Sequence, residues 1–282
     1  MLQAPQRTGL SGPTLIRLLT RLTDAEVQQS RQSLSDHLSQ WLGWTDAIAL
    51  SAALNTAPPV IAPGARMFSS AEERECVRVR TTLADAIASD TAATAAKRVA
   101  PARAPAKKLA AVLAEDEFDY SSFRQRYLSL QHTMETSIGN LRSRLRGMVA
   151  ARNGEWTRLA VVDAIMDRAL LPKERALLGA IPKLLQAHFD RLRKAEEAAL
   201  AQAAEHAVAE PGAPADAAAN VQGDTEAPAV DAAQAGMSPP APAITAGAWL
   251  DTFRADMRAV LLAELDVRLQ PVEGLLAALR TS

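Results

Sequence analysis

Cysteine is nearly missing from this chain: of 282 residues, Cys76 alone is one. A single thiol forms no intramolecular disulfide and no multi-cysteine metal site, which fits a reducing compartment and leaves the fold to packing alone. Aromatic residues are also scarce, at 4% against 48% apolar residues overall. The core must therefore be thin and aliphatic, as where helices approach closely. No stretch reaches the ~20 apolar residues that a bilayer span requires. Charge of one sign is lacking too: 31 Lys and Arg against 32 Asp and Glu leave a formal net charge of −1, so no global field recruits nucleic acid or an anionic membrane. The short apolar piece Leu15 to Leu22 is interrupted by Arg17 and Arg21 and is too short for a secretory core. A bacterial cytoplasmic protein is the simpler reading, and an organellar presequence carrying Arg7, Arg17 and Arg21 the other one.

Chemical signatures are absent as well. There is no GxxxxGK[ST] or GxGxxG phosphate loop, no GxSxG elbow, no HExxH pair and no EF-hand loop. These absences remove most large enzyme classes with short signatures, so the expectation is a non-enzyme without cofactor or metal.

What the chain has is helical periodicity. Phe123, Tyr127, Leu130, Met134, Ile138, Leu141, Leu145 and Met148 follow one another in steps of three and four with no intervening proline. Such spacing predicts one long helix, roughly 121–152, with an apolar seam that other helices or another chain must cover. A returning arm carries Trp156, Leu159, Val162, Ile165, Met166 and Leu170, then Leu185, His188, Phe189 and Leu192, with Pro172 and Pro182 each placed to begin a new helix. The predicted fold is all-α: an antiparallel helical hairpin or bundle of coiled-coil character, a disordered acidic Ala/Pro linker and a C-terminal helix. In segments, 1–56 holds short helices, 57–69 a linker, 70–98 a helix, 99–120 a basic flexible linker, 121–204 the hairpin, 205–247 the acidic linker and 248–282 the last helix.

Local signals refine this. Pro13-Thr14 opens the first helix, and Gly43 stops the second, which bears Leu34, Leu38, Trp41 and Leu42. Thr23 with Glu26, and Ser70 with Glu73, have capping-box spacing. Val77 to Thr81 alternates like a strand, but no partner strand exists, so helix is preferred. Gly139-Asn140 offers a bend in the long helix, and Pro271 a break in the last one. Between Lys194 and Arg254 there is no Lys or Arg, and the composition turns to Ala, Pro, Gly and acids, as in disordered linkers.

Four constellations bear on function. His132 and Glu135 stand at i, i+3, a metal-ligand spacing that finds no second pair. His188 and Cys76 fall on apolar stripes and read as core residues. Arg124, Arg126, Arg142, Arg144, Arg146 and Arg152 form a basic run with Glu135 the only acid between Arg124 and Arg152. That run could track phosphates, but no aromatics interleave to stack bases. The plainer reading has these arginines meeting acids elsewhere, with Glu196, Glu197 or the acidic linker as candidates. Trp41 and Trp44 bracket Gly43, and the core is favoured for Trp44 over an interface.

The segments Arg7 to Ile16 and Ser33 to Ala47 resemble a proteobacterial family of uncharacterised conserved proteins of the Burkholderia and Xanthomonas type. The resemblance implies a gene that, as is often so in that family, lies beside those of a MotA/TolQ-like proton-channel protein and an OmpA-like peptidoglycan-binding protein. The resemblance implies an accessory role beside an envelope complex and supplies no functional residues. Together these observations predict a cytoplasmic helical adaptor or scaffold that binds itself or a protein partner, with Leu141, Leu145, Met148, Arg142, Arg144, Arg146 and Trp44 as the candidate interaction residues. The alternatives are a nucleic-acid-binding protein using the Arg124–Arg152 surface, and an enzyme or small-ligand protein that uses a pocket inside the bundle without a known motif.

Overall fold

The computed structural model describes residues 13–23, 32–55, 69–99, 119–152, 154–209 and 247–281, with the backbone alone described for 90–99 and 206–209. Among the described residues there is no strand. The helices are α1 (Thr14–Thr23), α2 (Leu34–Trp41), α3 (Trp44–Asn55), α4 (Ser70–Val99), α5 (Tyr120–Ala150), α6 (Gly154–Leu178), α7 (Ile181–Ala209) and α8 (Ala248–Arg280). None is long and apolar enough to cross a membrane. The all-α reading therefore holds. Most of the three inferred linkers, and Glu26 of the first capping-box candidate, lie outside the described residues.

Local chemistry sets the helix starts. The Ser33 hydroxyl accepts from the Asp36 N–H at 3.1 Å, and the Asp36 carboxylate accepts from the Ser33 N–H at 3.0 Å. This reciprocal cap satisfies two donors that would otherwise be orphaned at the start of α2. At α4 the cap sits one residue earlier than the sequence suggests. Ser69, not Ser70, donates its N–H to Glu72 at 2.9 Å. Both serines stand three residues ahead of a glutamate. Glu73 pairs instead with Arg280 at the end of α8, at 2.6 Å.

Helix α8 is the central element, not a separate tethered one. It packs on α1, α4, α5 and α7. Val260, Leu261, Ala263, Glu264 and Leu265 are all buried, so it is covered on more than one side, as a helix enclosed by others must be. That packing carries it straight through Pro271, where the sequence suggested a break, for Leu269 and Val272 on either side are fully buried. Proline costs a helix interior about 3 kcal/mol, less than the burial of these flanking side chains together can offset. Helix α6 likewise continues through Pro172, between buried Ala169 and Leu178, and α5 passes Gly139-Asn140 uninterrupted. Gly247 precedes α8 with φ 86°, a left-handed conformation open to glycine, and its N–H reaches Glu196 at 2.8 Å.

The long seam is real but shifted at two places. Tyr120, Phe123, Tyr127, Gln131, Met134, Ile138, Leu141, Leu145 and Val149 are the buried positions of α5. Gln131 and Val149 replace the expected Leu130 and Met148, which are only half-buried. On α6 the inner face is made of Thr157, Ala160, Ile165 and Ala169, while Leu159, expected inside, is exposed. Around α8 the few aromatics are concentrated: Phe189 stands edge-on to Phe253 at 5.0 Å and to Trp249 at 4.9 Å, an arrangement favoured by the ring quadrupoles.

Candidate functional site

The most polar part of the interior lies where α5, α6 and α8 meet. Glu264 is 0% exposed. Its carboxylate accepts from the Tyr127 phenol at 2.6 Å, from the Gln131 amide at 2.9 Å and from Arg268 Nε at 2.9 Å. The Gln131 amide also donates to the Leu178 carbonyl at 3.2 Å, and Arg268 Nη1 reaches Glu174 at 2.9 Å. A buried carboxylate is tolerated only when paired and hydrogen-bonded, and Glu264 is both. Burial, with the Glu264 charge beside it, pushes the Tyr127 phenol far above its ordinary range. Burial raises the Glu174 carboxyl, with Arg268 opposing. With its oxygens taken by three neighbours, Glu264 is a structural anion and not a free base. The sequence carried one signal of this cluster, an acid and a base at i, i+4 inside the leucine-rich stripe of α8.

A second cluster joins α5 to α6. Arg142 reaches Asp163 and Asp167 at 2.6 Å each, and Arg146 reaches Asp163 at 2.7 Å and Asp167 at 2.6 Å. Two arginines at i, i+4 thus grip two aspartates at i, i+4 in a closed square, the fork geometry guanidinium favours. These acids are not the ones the sequence suggested. Glu197 pairs with Arg193 at 3.5 Å, and Glu196 with the Gly247 backbone. The matching i, i+4 spacing of Asp163 and Asp167 was the legible clue. Arg144 points outward, with Glu75 at 3.5 Å.

His188 and the Cys76 thiol sit in ordinary packing. His188 is buried, its Nε2 2.9 Å from Asp256 and its Nδ1 3.1 Å from Arg191. Glu135, the partner of His132 by spacing alone, accepts from Arg175 Nε at 2.9 Å. Cys76 is buried, and burial raises its thiol. Among the described residues no group of three His, Cys, Asp or Glu is placed to hold a metal.

The remaining candidate residues fall on opposite sides of the surface. Leu141 and Leu145 are buried within the chain, and Met148 is half-buried against the same core. Trp44 is not in the core: it is 82% exposed. Helix α3 turns Asp46, Ala49, Leu50 and Ala53 toward its support and leaves Trp44, Ile48, Ser51 and Asn55 outward. The support is α6, where Arg168 pairs with Asp46 at 2.8 Å. Asp46, Ala49, Leu50 and Ala53 take the side of α3 that meets α6, and Trp44, two residues before Asp46, falls on the other side, since residues two apart on a helix do not share a face. Ile48 is 53% exposed and Leu34 on α2 74%. These helices form an arm whose outer surface carries Leu34, Trp44 and Ile48 among polar residues such as Ser35, Ser39 and Ser51.

Fold and surface together define an all-helical bundle with a hydrogen-bonded polar cluster around Glu264 and an arm that exposes large apolar side chains. The chain belongs to a family described as a protein of unknown function (DUF3348), whose model matches residues 1–281. No curated protein matches the chain, and no solved structure does.

Proposed function

We propose that this protein is a non-enzymatic helical scaffold or adaptor of the cytoplasm, working by helix–helix contact through its α2–α3 arm. The observation that carries the reading is Trp44, 82% exposed on a helix whose other face packs on α6. Trp44 and Ile48, at i, i+4, share one exposed face, and large exposed apolar side chains grouped on one face are characteristic of interaction sites. The seam of α5, by contrast, is used up inside the chain. The Arg142 and Arg146 guanidinium groups are held by Asp163 and Asp167, which argues against a phosphate-tracking surface. An accessory place beside an envelope complex, as the resemblance implies, would be reached through the same arm.

The test is site-specific photocrosslinking in the producing cells, with a photoreactive residue at Trp44 or Ile48 and a control at exposed Thr133 on α5. Positions 44 and 48 are expected to give a discrete adduct with a protein chain, identified by mass spectrometry, and position 133 none. Equal yields at all three positions overturn the proposal.

A further inference from the structure

We infer that His188 is a proton-sensitive latch for α1: the neutral imidazole holds the end of that helix down through Arg191, and protonation of the ring releases it. The latch lies on α7 and α8, away from the α2–α3 arm, and does not depend on the scaffold reading.

Helix α1 has ten residues. A helix that short is marginal alone in water, so docking keeps it folded. It packs on α7 and α8, with Leu15, Thr20 and Leu22 buried. The last carbonyls of any helix lack partners within it. Arg191 of α7 supplies one from outside, for its Nη2 donates to the Leu22 carbonyl. The same Nη2 stands 3.1 Å from His188 Nδ1.

These contacts fix the form of the ring. A guanidinium only donates, so Nδ1 accepts and carries no proton. The proton is on Nε2, which donates to Asp256 of α8 at 2.9 Å. A second proton has only Nδ1 to go to. There it would aim an N–H at the Arg191 guanidinium and remove the acceptor that orients it. Arg191 then turns away, and the Leu22 carbonyl loses its donor.

The charges around the ring point the same way. Helix α7 contributes Arg191, α8 contributes Asp256, and α1 contributes Arg21, 3.3 Å from Asp256. Two cations thus stand against one anion. Asp256 attracts a charged ring, but it holds the neutral one by the same N–H and shares its carboxylate with Arg21. The other ionisable groups nearby are turned elsewhere. Arg254 pairs with Asp251, and Arg17 reaches the Thr14 hydroxyl. Asp190 and Arg258 stand two residues from His188 and Asp256, on other faces of their helices. Tyr120 of α5 meets Phe253, the ring that also meets the imidazole, and donates its O–H to the Pro182 carbonyl. The latched arrangement needs an unprotonated Nδ1 and the released one does not. Release therefore takes up a proton and is favoured as pH falls through the imidazole range, from about pH 7.5 to about pH 5.

Hydrogen–deuterium exchange of the purified full chain across that range, with labelling times scaled for intrinsic exchange, tests this. Residues 14–23 should exchange at least about tenfold faster at the acid end, one linked proton allowing up to about tenfold per pH unit. Residues 258–270 of α8 should stay protected throughout. His188→Gln offers Arg191 an acceptor and Asp256 a donor but takes up no proton, so α1 should stay protected at both ends. Arg191→Met removes the donor and should expose α1 at both. Nitrogen NMR of the imidazole should show the Nε2–H form at the upper end and double protonation with the midpoint of α1 release. A wild-type α1 protected across the range, or one that opens equally in His188→Gln, would overturn the inference. So would a ring that carries a proton on Nδ1 while α1 is protected. Should His188→Gln lose α1 at both ends, the wild-type midpoints decide. Ring and helix titrating together support the latch, and ring protonation without release overturns it.

Discussion

Tyr127 and Glu264 are 137 residues apart in the chain and share a 2.6 Å hydrogen bond with no access to water. The phenol is the neutral donor and the carboxylate the acceptor, so the bond is charge-assisted. Tyr127→Phe removes one donor and leaves Gln131 and Arg268, and should cost about 1.5–3 kcal/mol in urea unfolding. Glu264→Leu strips Arg268 of its interior partner and should cost ~3–5 kcal/mol. Adding Arg268→Met to Glu264→Leu should recover part of that loss. Strict additivity of the two substitutions would mean that the pair does not act as a unit.

The helices were legible because apolar residues at steps of three and four imply burial, and every ordered stretch showed such steps. The central role of α8 was not, since its stripe resembles that of any amphipathic helix until the packing of α1, α4, α5 and α7 around it is known. Gln131 escaped for a related reason: a polar residue enters a seam only when its partner is present, and Glu264 is far away in sequence. Pro172 and Pro271 misled because propensity is local and packing is not. Of the surface, the Arg142–Arg146 and Asp163–Asp167 spacings could have been matched beforehand. The exposure of Trp44 could not, because it depends on how a short helix is turned against α6.

Glu174 gives the fold a pH dependence. Its carboxyl is raised above the ordinary value of 4.5, chiefly by burial. In the window from 4.5 up to that raised value the folded chain binds more protons than the unfolded one, so this group's contribution to stability falls as pH rises. Glu174→Gln should match the wild type in urea midpoint below pH 4.5 and exceed it above that window. A variant weaker than the wild type at neutral pH would show that attraction to Arg268 outweighs the burial of the charge.

Gly139 sits mid-helix in α5, exposed, where an added Cβ meets nothing within 4 Å. Glycine there has a conformational cost and no packing role. Gly139→Ala should stabilise the protein by roughly 0.5–1 kcal/mol, read as a higher melting temperature. A loss of stability would mean that the position has a partner or a bend that the helix geometry does not reveal.

The arginines and leucines of α5 separate by what they touch. Leu141 and Leu145 are buried in the core, so Leu141→Ala should cost ~2–5 kcal/mol and lower the melting temperature. Arg144 lies outward near Glu75, and Arg144→Ala should stay within about 0.5 kcal/mol. Arg142 and Arg146 differ from Arg144. Their side chains are mostly covered, and removing both leaves Asp163 and Asp167 facing each other across no cation. Arg142→Ala with Arg146→Ala should therefore destabilise the α5–α6 pair, more than either alone. The same pairing predicts no salt-dependent shift of a DNA or RNA duplex by the wild type, because a guanidinium already held by two carboxylates has little left for phosphate. A gel-shift that weakens steeply with salt and vanishes on Arg144→Ala alone, with the melting temperature unchanged, would restore the nucleic-acid reading.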